Sequence, residues 1–203
     1  SIAYPHLNCT VVGSHGGVSV GEDGATHQCI EDFALMRALP GMLVCCPCDG
    51  HEMRLAVEAL INYNGPAYLR LARPATEIIT DEIPGYSFEL GKGATLRGGK
   101  DVTIIATGIM VPQAMKAAEA LENDGISARV IDMHTIKPLD AELVVKAAKE
   151  TGCIVTAEEH SVIGGLGSAV CELLSETCPT PVLRLGVNDE FGRSGKAAEV
   201  LDY

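Results

Sequence analysis

The sequence predicts an α/β fold built on mostly parallel sheets, and three observations carry that expectation. Short, β-branched apolar runs alternate with longer amphipathic segments along most of the 203 residues. Gly125 and Gly152 stand where helices are expected to stop. The interval from Pro74 to Lys100 breaks the rhythm with prolines, glycines and scattered charge, and reads as a connection between two units with its boundary near Pro84.

Taken in order, the first unit (residues 1–84) offers strands at Thr10–Val12, Leu43–Cys46 and Ala67–Leu71, with helices at His27–Leu39 and His51–Tyr63 between them. The second (residues 85–203) offers strands at Val102–Thr107, Arg129–Met133, Ile154–Ala157 and Val182–Val187. Its helices fall at Val111–Asn123, Ala141–Glu150, Leu166–Cys178 and Ser194–Tyr203. The second unit is enough for a doubly wound domain. Three strands and two helices in the first would leave a bare sheet edge, and Ser1 stands directly before the first strand. The chain is therefore expected to be part of a longer polypeptide or one subunit of a split enzyme.

Composition narrows the function. Apolar residues make up 47% of the chain, ample for a core. A net charge of −12 argues against nucleic acid and against an anionic membrane surface. Aromatics at 4%, with no Trp, give no stacking platform for bases. No apolar run reaches the ~20 residues of a membrane span, and no signal peptide precedes the first strand. The eight cysteines read as small buried residues of a reduced cytoplasm. Cys45-Cys46-Pro47-Cys48 holds a CxxC spacing, but there is no second one to make a zinc set.

The chemistry concentrates in one glycine-rich loop. Ser14-His15-Gly16-Gly17 follows the first strand, and Gly21-Glu22-Asp23-Gly24-Ala25-Thr26-His27-Gln28 leads into the first helix. Such loops lie on the rim of an α/β sheet, where ligands bind. Their glycines allow close backbone approach. His15 and His27 titrate near neutrality and can donate or accept protons or neutralise an anion. Asp23 can orient an imidazole or bond a substrate hydroxyl. Taken singly, each has a plain structural reading: Asp23 or Thr26 as a helix cap, the histidines as surface residues.

The wording of this loop resembles the pyrimidine-domain signature of transketolase and of deoxyxylulose-phosphate synthase. The resemblance continues through Leu35-Met36-Arg37-Ala38-Leu39-Pro40, Tyr68-Leu69-Arg70-Leu71-Ala72-Arg73, the run Val130 to Asp140, Ala157-Glu158-Glu159-His160 and Gly164-Gly165-Leu166-Gly167, so it spans nearly the whole chain. It implies an incomplete pyrimidine-domain α/β layer in residues 1–84, followed by a doubly wound transketolase C-terminal domain in residues 85–203. It also implies transfer of a two-carbon ketol unit between sugar phosphates, as in the pentose phosphate pathway.

By motif position, His27 matches the histidine that faces the donor carbonyl, and Asp23 the residue that reads the second hydroxyl. His15 and Arg73 match residues that bind the substrate phosphate, a role suited to a bidentate guanidinium. The plain alternative for Arg73 is a surface ion pair with a neighbour such as Glu77; Arg70, inside a strand, reads as structural.

The family's cofactor is thiamin diphosphate. The Gly-Asp-Gly and Asn residues that hold its magnesium and diphosphate, and the glutamate that activates its pyrimidine, have no counterpart here. No metal is thus expected on this chain. The partner implied is a diphosphate-binding domain or subunit, in a homodimer or heterotetramer in the cytoplasm.

Other readings compete. Deoxyxylulose-phosphate synthase shares the loop, whereas His134-Thr135-Ile136-Lys137-Pro138-Leu139-Asp140 looks closer to split transketolases. The β subunit of 2-oxoacid dehydrogenases shares the downstream blocks but not the loop. A nucleotide-binding regulatory module would rest on Gly164-Gly165-Leu166-Gly167, which resembles GxGxxG except for Val170 at its third glycine, and on Asp189 as a ribose-binding acid. His134 reads as a loop or interface residue, and His160 is given no catalytic role.

Overall fold

A computed structural model describes residues 1–201 and shows two sheets wrapped by helices. The first sheet holds β1 (Cys9–Gly13), β2 (Leu43–Cys45), β3 (Pro66–Arg70) and β7 (Thr135–Lys137) in the order β1-β3-β2-β7. The second holds β4 (Ala94–Arg97), β5 (Val102–Ala106), β6 (Ala128–Asp132), β8 (Ile154–Ser161) and β9 (Val182–Val187) in the order β4-β6-β5-β8-β9. Every pairing is parallel except β2 with β7 and β4 with β6.

The seven expected strands are present at nearly their expected places, because each crossover of a βαβ unit needs a buried apolar run on either side of it. Two antiparallel strands escaped the sequence reading. β4 is four residues beside Gly93 and Gly98, and β7 is three residues before Pro138. Both are too short for periodicity to mark them. β7 follows residue 85 yet joins the first sheet, so the chain crosses between the layers there.

The helices are α1 (Asp32–Ala38), α2 (Gly50–Asn62), α3 (Met110–Asn123), α4 (Ala141–Thr151), α5 (Leu166–Thr177) and α6 (Ala197–Leu201). Two carry side-chain caps. Asp49 Oδ1 accepts from Glu52 N–H at 2.8 Å to start α2, and Asp140 Oδ1 accepts from Leu143 N–H at 3.1 Å to start α4. Gly152, at φ +73°, ends α4. α1 begins five residues later than expected. Residues 27–31 are drawn away from helix because Cys29 bridges to Gly16 and Gly17, with Gly17 N–H donating to Cys29 C=O at 2.7 Å. The expected final helix Ser194–Tyr203 is reduced to α6, and its last two positions lie outside the described residues.

Two of the buried clusters lie on opposite faces of the second sheet. One gathers Ile104, Ala106, Val111, Ala114 and Val130 under α3, the other Ile105, Ile131, Val144, Leu166 and Leu174 under α4 and α5. Alternate residues of β5 thus face alternate layers. Phe33, Val44, Tyr68 and Ile136 pack with Ala169 of α5 and so join the first sheet to the second.

Candidate active-site rim

β1 and β3 are parallel neighbours, with Gly13 opposite Arg70. The chain segments leaving their C-terminal ends therefore emerge on one rim. His15 stands two residues beyond Gly13 and Arg73 three beyond Arg70. Their loops are tied by Leu71 N–H to Gly13 C=O at 2.8 Å and Gly16 N–H to Leu71 C=O at 3.2 Å.

On this rim Arg73 Nη1 donates to Asp23 Oδ2 at 3.0 Å and to Val20 C=O. Arg73 and Asp23 are each roughly half exposed, and Arg73 makes no further hydrogen bond among the described residues. Arg73 does form a surface ion pair, as its plain alternative has it, but with Asp23; Glu77 pairs with Lys116. His15 is exposed, holds φ +64° and has Nδ1 3.0 Å from Ser14 Oγ. A non-glycine residue there costs on the order of 1–3 kcal/mol and persists only when its surroundings fix it. His27 is exposed as well. Its N–H donates to Gly24 C=O at 2.9 Å, and its Nδ1 lies 3.0 Å from Thr26 Oγ1, while Nε2 has no hydrogen-bond partner among the described residues. Neither Asp23 nor Thr26 caps α1, whose N-cap Glu31 makes no side-chain cap bond.

The rim rests on buried charged groups. Arg70 lies beneath the loop, donating from Nε to Asp32 Oδ2 at 2.9 Å and from Nη2 to Glu159 C=O at 2.8 Å. It also stacks on Phe33 at 4.4 Å. Tyr68 O–H gives Asp32 a second bond at 2.8 Å, and burial with the Asp32 charge drives the phenol pKa well up. Glu159 Oε1 accepts from Ser19 N–H at 3.0 Å and Ser19 Oγ–H at 2.8 Å, which fixes residues 18–20. Burial raises the Glu159 carboxyl, and Arg70 opposes the shift. The two glycines of the turn follow from this floor. A Cβ at Gly16 would stand 2.3 Å from Arg70 Nε, and one at Gly17, already at φ +82°, 1.8 Å from Glu159 Oε1. Arg70 is structural in this geometry, as its strand position suggests.

His160 is buried and stacks on Phe33 at 5.0 Å. Its Nδ1 donates to Ser161 C=O at 2.6 Å, and its Nε2 accepts from Ala34 N–H at 3.4 Å. Glu158 lies 3.8 Å away, but the ring stays neutral. Burial lowers its pKa and both nitrogens are engaged as a neutral imidazole requires. His134 is buried against Phe88, ring centroids 4.1 Å apart, and burial lowers its pKa too.

The Gly164–Gly167 turn does open α5, but its donors are taken. Leu166 N–H and Gly167 N–H donate to Glu158 Oε2 and Oε1 at 2.7 and 2.8 Å. A side-chain carboxylate thus fills the cradle that a phosphate would need. Asp189 lies exposed beyond β9.

Residues of the C-terminal stretch, absent from the sequence reading of the site, flank the loop. Gln28 Nε2 donates to Val18 C=O and to Arg193 C=O, both at 2.9 Å, and Gly21 packs against Gly195 and Ala197. A cavity of about 560 Å³ lies between this stretch and β8–β9, bounded by Val18, Glu159 and Phe191. It borders the loop from behind and includes none of His15, Asp23, His27 or Arg73. The open rim, with its grouping of acid, base and cation, is the better candidate for chemistry.

All eight cysteines are unpaired, with Cys45, Cys46 and Cys48 buried. No helix among the described residues is long and apolar enough to cross a membrane.

Comparison with known proteins gives the family of both units. Residues 2–78 match the family model of the transketolase pyrimidine binding domain, and residues 91–203 that of the transketolase C-terminal domain. A putative transketolase C-terminal section from Methanocaldococcus jannaschii is 49% identical over the whole chain, and an apulose-4-phosphate transketolase component from Phocaeicola vulgatus is 44% identical. The chain spans 63% and 64% of the lengths of these two relatives. A 1-deoxy-D-xylulose-5-phosphate synthase from Heliobacterium modesticaldum is 41% identical over 90% of the chain, which covers 28% of that protein. Among solved structures, a split gene transketolase described as an inactive beta4 tetramer superposes with a TM-score of 0.90 at 50% identity, over all of this chain and 64% of that one.

Proposed function

The chain belongs to the transketolase family, and from that premise we propose that it forms one side of a thiamin-diphosphate-dependent active site that moves a two-carbon ketol unit between sugar phosphates. The observation that supports this most is the Asp23–Arg73 ion pair, which joins the glycine-rich loop to the segment beyond β3, with His15 and His27 exposed on that same loop. Two imidazoles, a carboxylate and a guanidinium suit a polyhydroxylated, anionic substrate. They do not suit a magnesium diphosphate, which calls for an oxygen-rich ligand set. The residues present thus fit the substrate-facing side of the cofactor. Its diphosphate and magnesium fall to a partner domain or subunit, in an oligomer acting in the cytoplasm. The same reading divides the chain at residues 84 and 85 into a partial pyrimidine-binding unit and a C-terminal unit.

When bound, thiamin diphosphate supplies the electron sink for the transferred unit. On this chain, His27 offers Nε2 to the donor carbonyl and exchanges a proton with it. Asp23 accepts a hydrogen bond from the adjacent substrate hydroxyl. Arg73 swings its unengaged guanidinium nitrogens onto the terminal phosphate, with His15 beside it. The overall negative charge makes such a local cation necessary for an anionic substrate.

A second reading, synthesis of deoxyxylulose phosphate, is favoured by the relative that carries that name. The two separate on the donor. The complete enzyme, assayed with xylulose 5-phosphate and ribose 5-phosphate, is expected to transfer the ketol unit. Turnover that requires pyruvate and ignores the ketose phosphate would replace the proposal with the second reading.

A further inference from the structure

Away from the rim, the corner between β2 and α2 meets the end of β6. Cys48 Sγ, a carboxylate oxygen of Glu52 and a carboxylate oxygen of Asp132 lie within 4.8 Å of one another. All three residues are buried, at 1%, 0% and 0% exposure. Glu52 is held in place: Oε2 accepts from Cys48 N–H at 2.6 Å and Oε1 from Tyr86 O–H. Asp132 is not. Both its oxygens are buried and accept no hydrogen bond from a backbone N–H or a hydroxyl of the described residues; their polar neighbours are the Glu52 carboxyl and the Cys48 thiol. Neither carboxyl forms an ion pair with a Lys, Arg or His of the described residues.

Two carboxyls and a thiol facing one another inside a protein cannot all be ionised without compensation: they either take up protons or share a cation. A single shared proton would neutralise one charge and bridge one oxygen of each carboxyl. It would leave the other Asp132 oxygen bare. A divalent cation serves all three groups together. Thiolate with carboxylates is a donor set for zinc, whose ligand distances of roughly 2.0–2.3 Å place donors of different side chains some 3.3–3.8 Å apart. The 4.8 Å limit on the present spacing is met with small side-chain shifts.

We propose that Cys48, Glu52 and Asp132 form a structural zinc site that clamps the β2–α2 corner to β6. Cys48 gives one sulfur and Glu52 one oxygen. Asp132 gives both oxygens and completes four-coordination without solvent. The CxxC spacing, which has no second pair to make a zinc set, contributes only Cys48; its companions in the proposed site are carboxylates from 4 and 84 residues downstream, against the expectation of no metal on this chain.

The test uses the complete protein produced in zinc-supplemented medium and dialysed free of loose metal. About one zinc per chain is expected by elemental analysis. Cobalt(II) in its place should give the absorption of a thiolate-bound tetrahedral ion. Cys48→Ser, nearly isosteric, should abolish that thiolate band and weaken zinc binding at least about tenfold, and Asp132→Asn should weaken it similarly. Zinc should raise the Tm of the wild type in proportion to log concentration, with little effect on either variant. If a variant fails to fold, the wild-type stoichiometry and cobalt spectrum decide alone. A wild-type protein that retains no zinc and shows no Tm response overturns the proposal.

Discussion

Asp23 and Arg73 are joined by an ion pair, Oδ2 to Nη1 at 3.0 Å, across fifty positions of sequence. The contact binds the glycine-rich loop to the segment beyond β3, yet it stays open to solvent. Exposed pairs contribute only about 0–1 kcal/mol to stability. Under the proposed function, the pair sets an acid for a substrate hydroxyl beside a cation for a phosphate.

Arg73→Ala in the complete enzyme should therefore leave Tm nearly unchanged. It should lower kcat/KM for phosphorylated sugars by about 10- to 150-fold, the range for loss of a charge-assisted bond. Unphosphorylated substrates should be affected much less. Because the two side chains touch, the Asp23→Ala and Arg73→Ala effects should be non-additive in a double-mutant cycle. Equal losses with both substrate types would make Arg73 a scaffold residue.

Among the described residues His27 hydrogen-bonds only with Thr26 and Gly24, and its side chain is exposed. His27→Ala is expected to reduce kcat by ~10²–10⁴-fold, as for loss of a proton-transfer group, with a Tm close to wild type. A lowered Tm with kcat within a few-fold would remove His27 from the catalytic set.

The floor of the site behaves differently. Asp32 compensates the buried Arg70, so Asp32→Ala strands a guanidinium in the interior and should cost about 3–5 kcal/mol. Denaturant unfolding would register the loss as a drop in midpoint. An unchanged midpoint would mean that Arg70 reaches solvent once Asp32 is gone.

Glu158 gives a pH signature. Burial pushes its carboxyl up to about 7 from an ordinary 4.5, against the two backbone N–H groups of α5 that hold it down. Between those values the folded state keeps a proton that the unfolded chain has released. Stability is thus expected to fall as pH rises from about 4.5 to 7 and then to level off as far as this group is concerned. Glu158→Gln should flatten that part of the profile. The same slope in wild type and variant would show that Glu158 ionises normally.

Much of the framework was legible because parallel strands and their crossover helices carry long apolar signals: β5, β6, β8 and β9 stood out as β-branched runs. β4 and β7 did not, since a short antiparallel strand is set by the neighbour it pairs with. The start of α1 was hidden for the same reason, Cys29 being held by Gly16 and Gly17. On the rim, His15, Asp23, His27 and Arg73 were visible as a motif. The supports were not: Glu158, Glu159 and His160 act on segments up to 140 residues away, and no local pattern records such partners. Asp132 was likewise silent, because an unpartnered carboxylate shows only once its surroundings are known.

If this rim is one side of a shared active site, it works only when the rest of the pyrimidine unit, with its activating glutamate, and the diphosphate-binding partner are both present. The decisive measurement is ketol transfer from xylulose 5-phosphate to ribose 5-phosphate by this chain alone, and again by the complete enzyme with thiamin diphosphate and magnesium. No turnover by the chain alone, and turnover by the complete enzyme that His27→Ala and Arg73→Ala each reduce, is the expected result. Turnover by the chain alone, or a complete enzyme indifferent to both substitutions, would show that the rim is not part of the site.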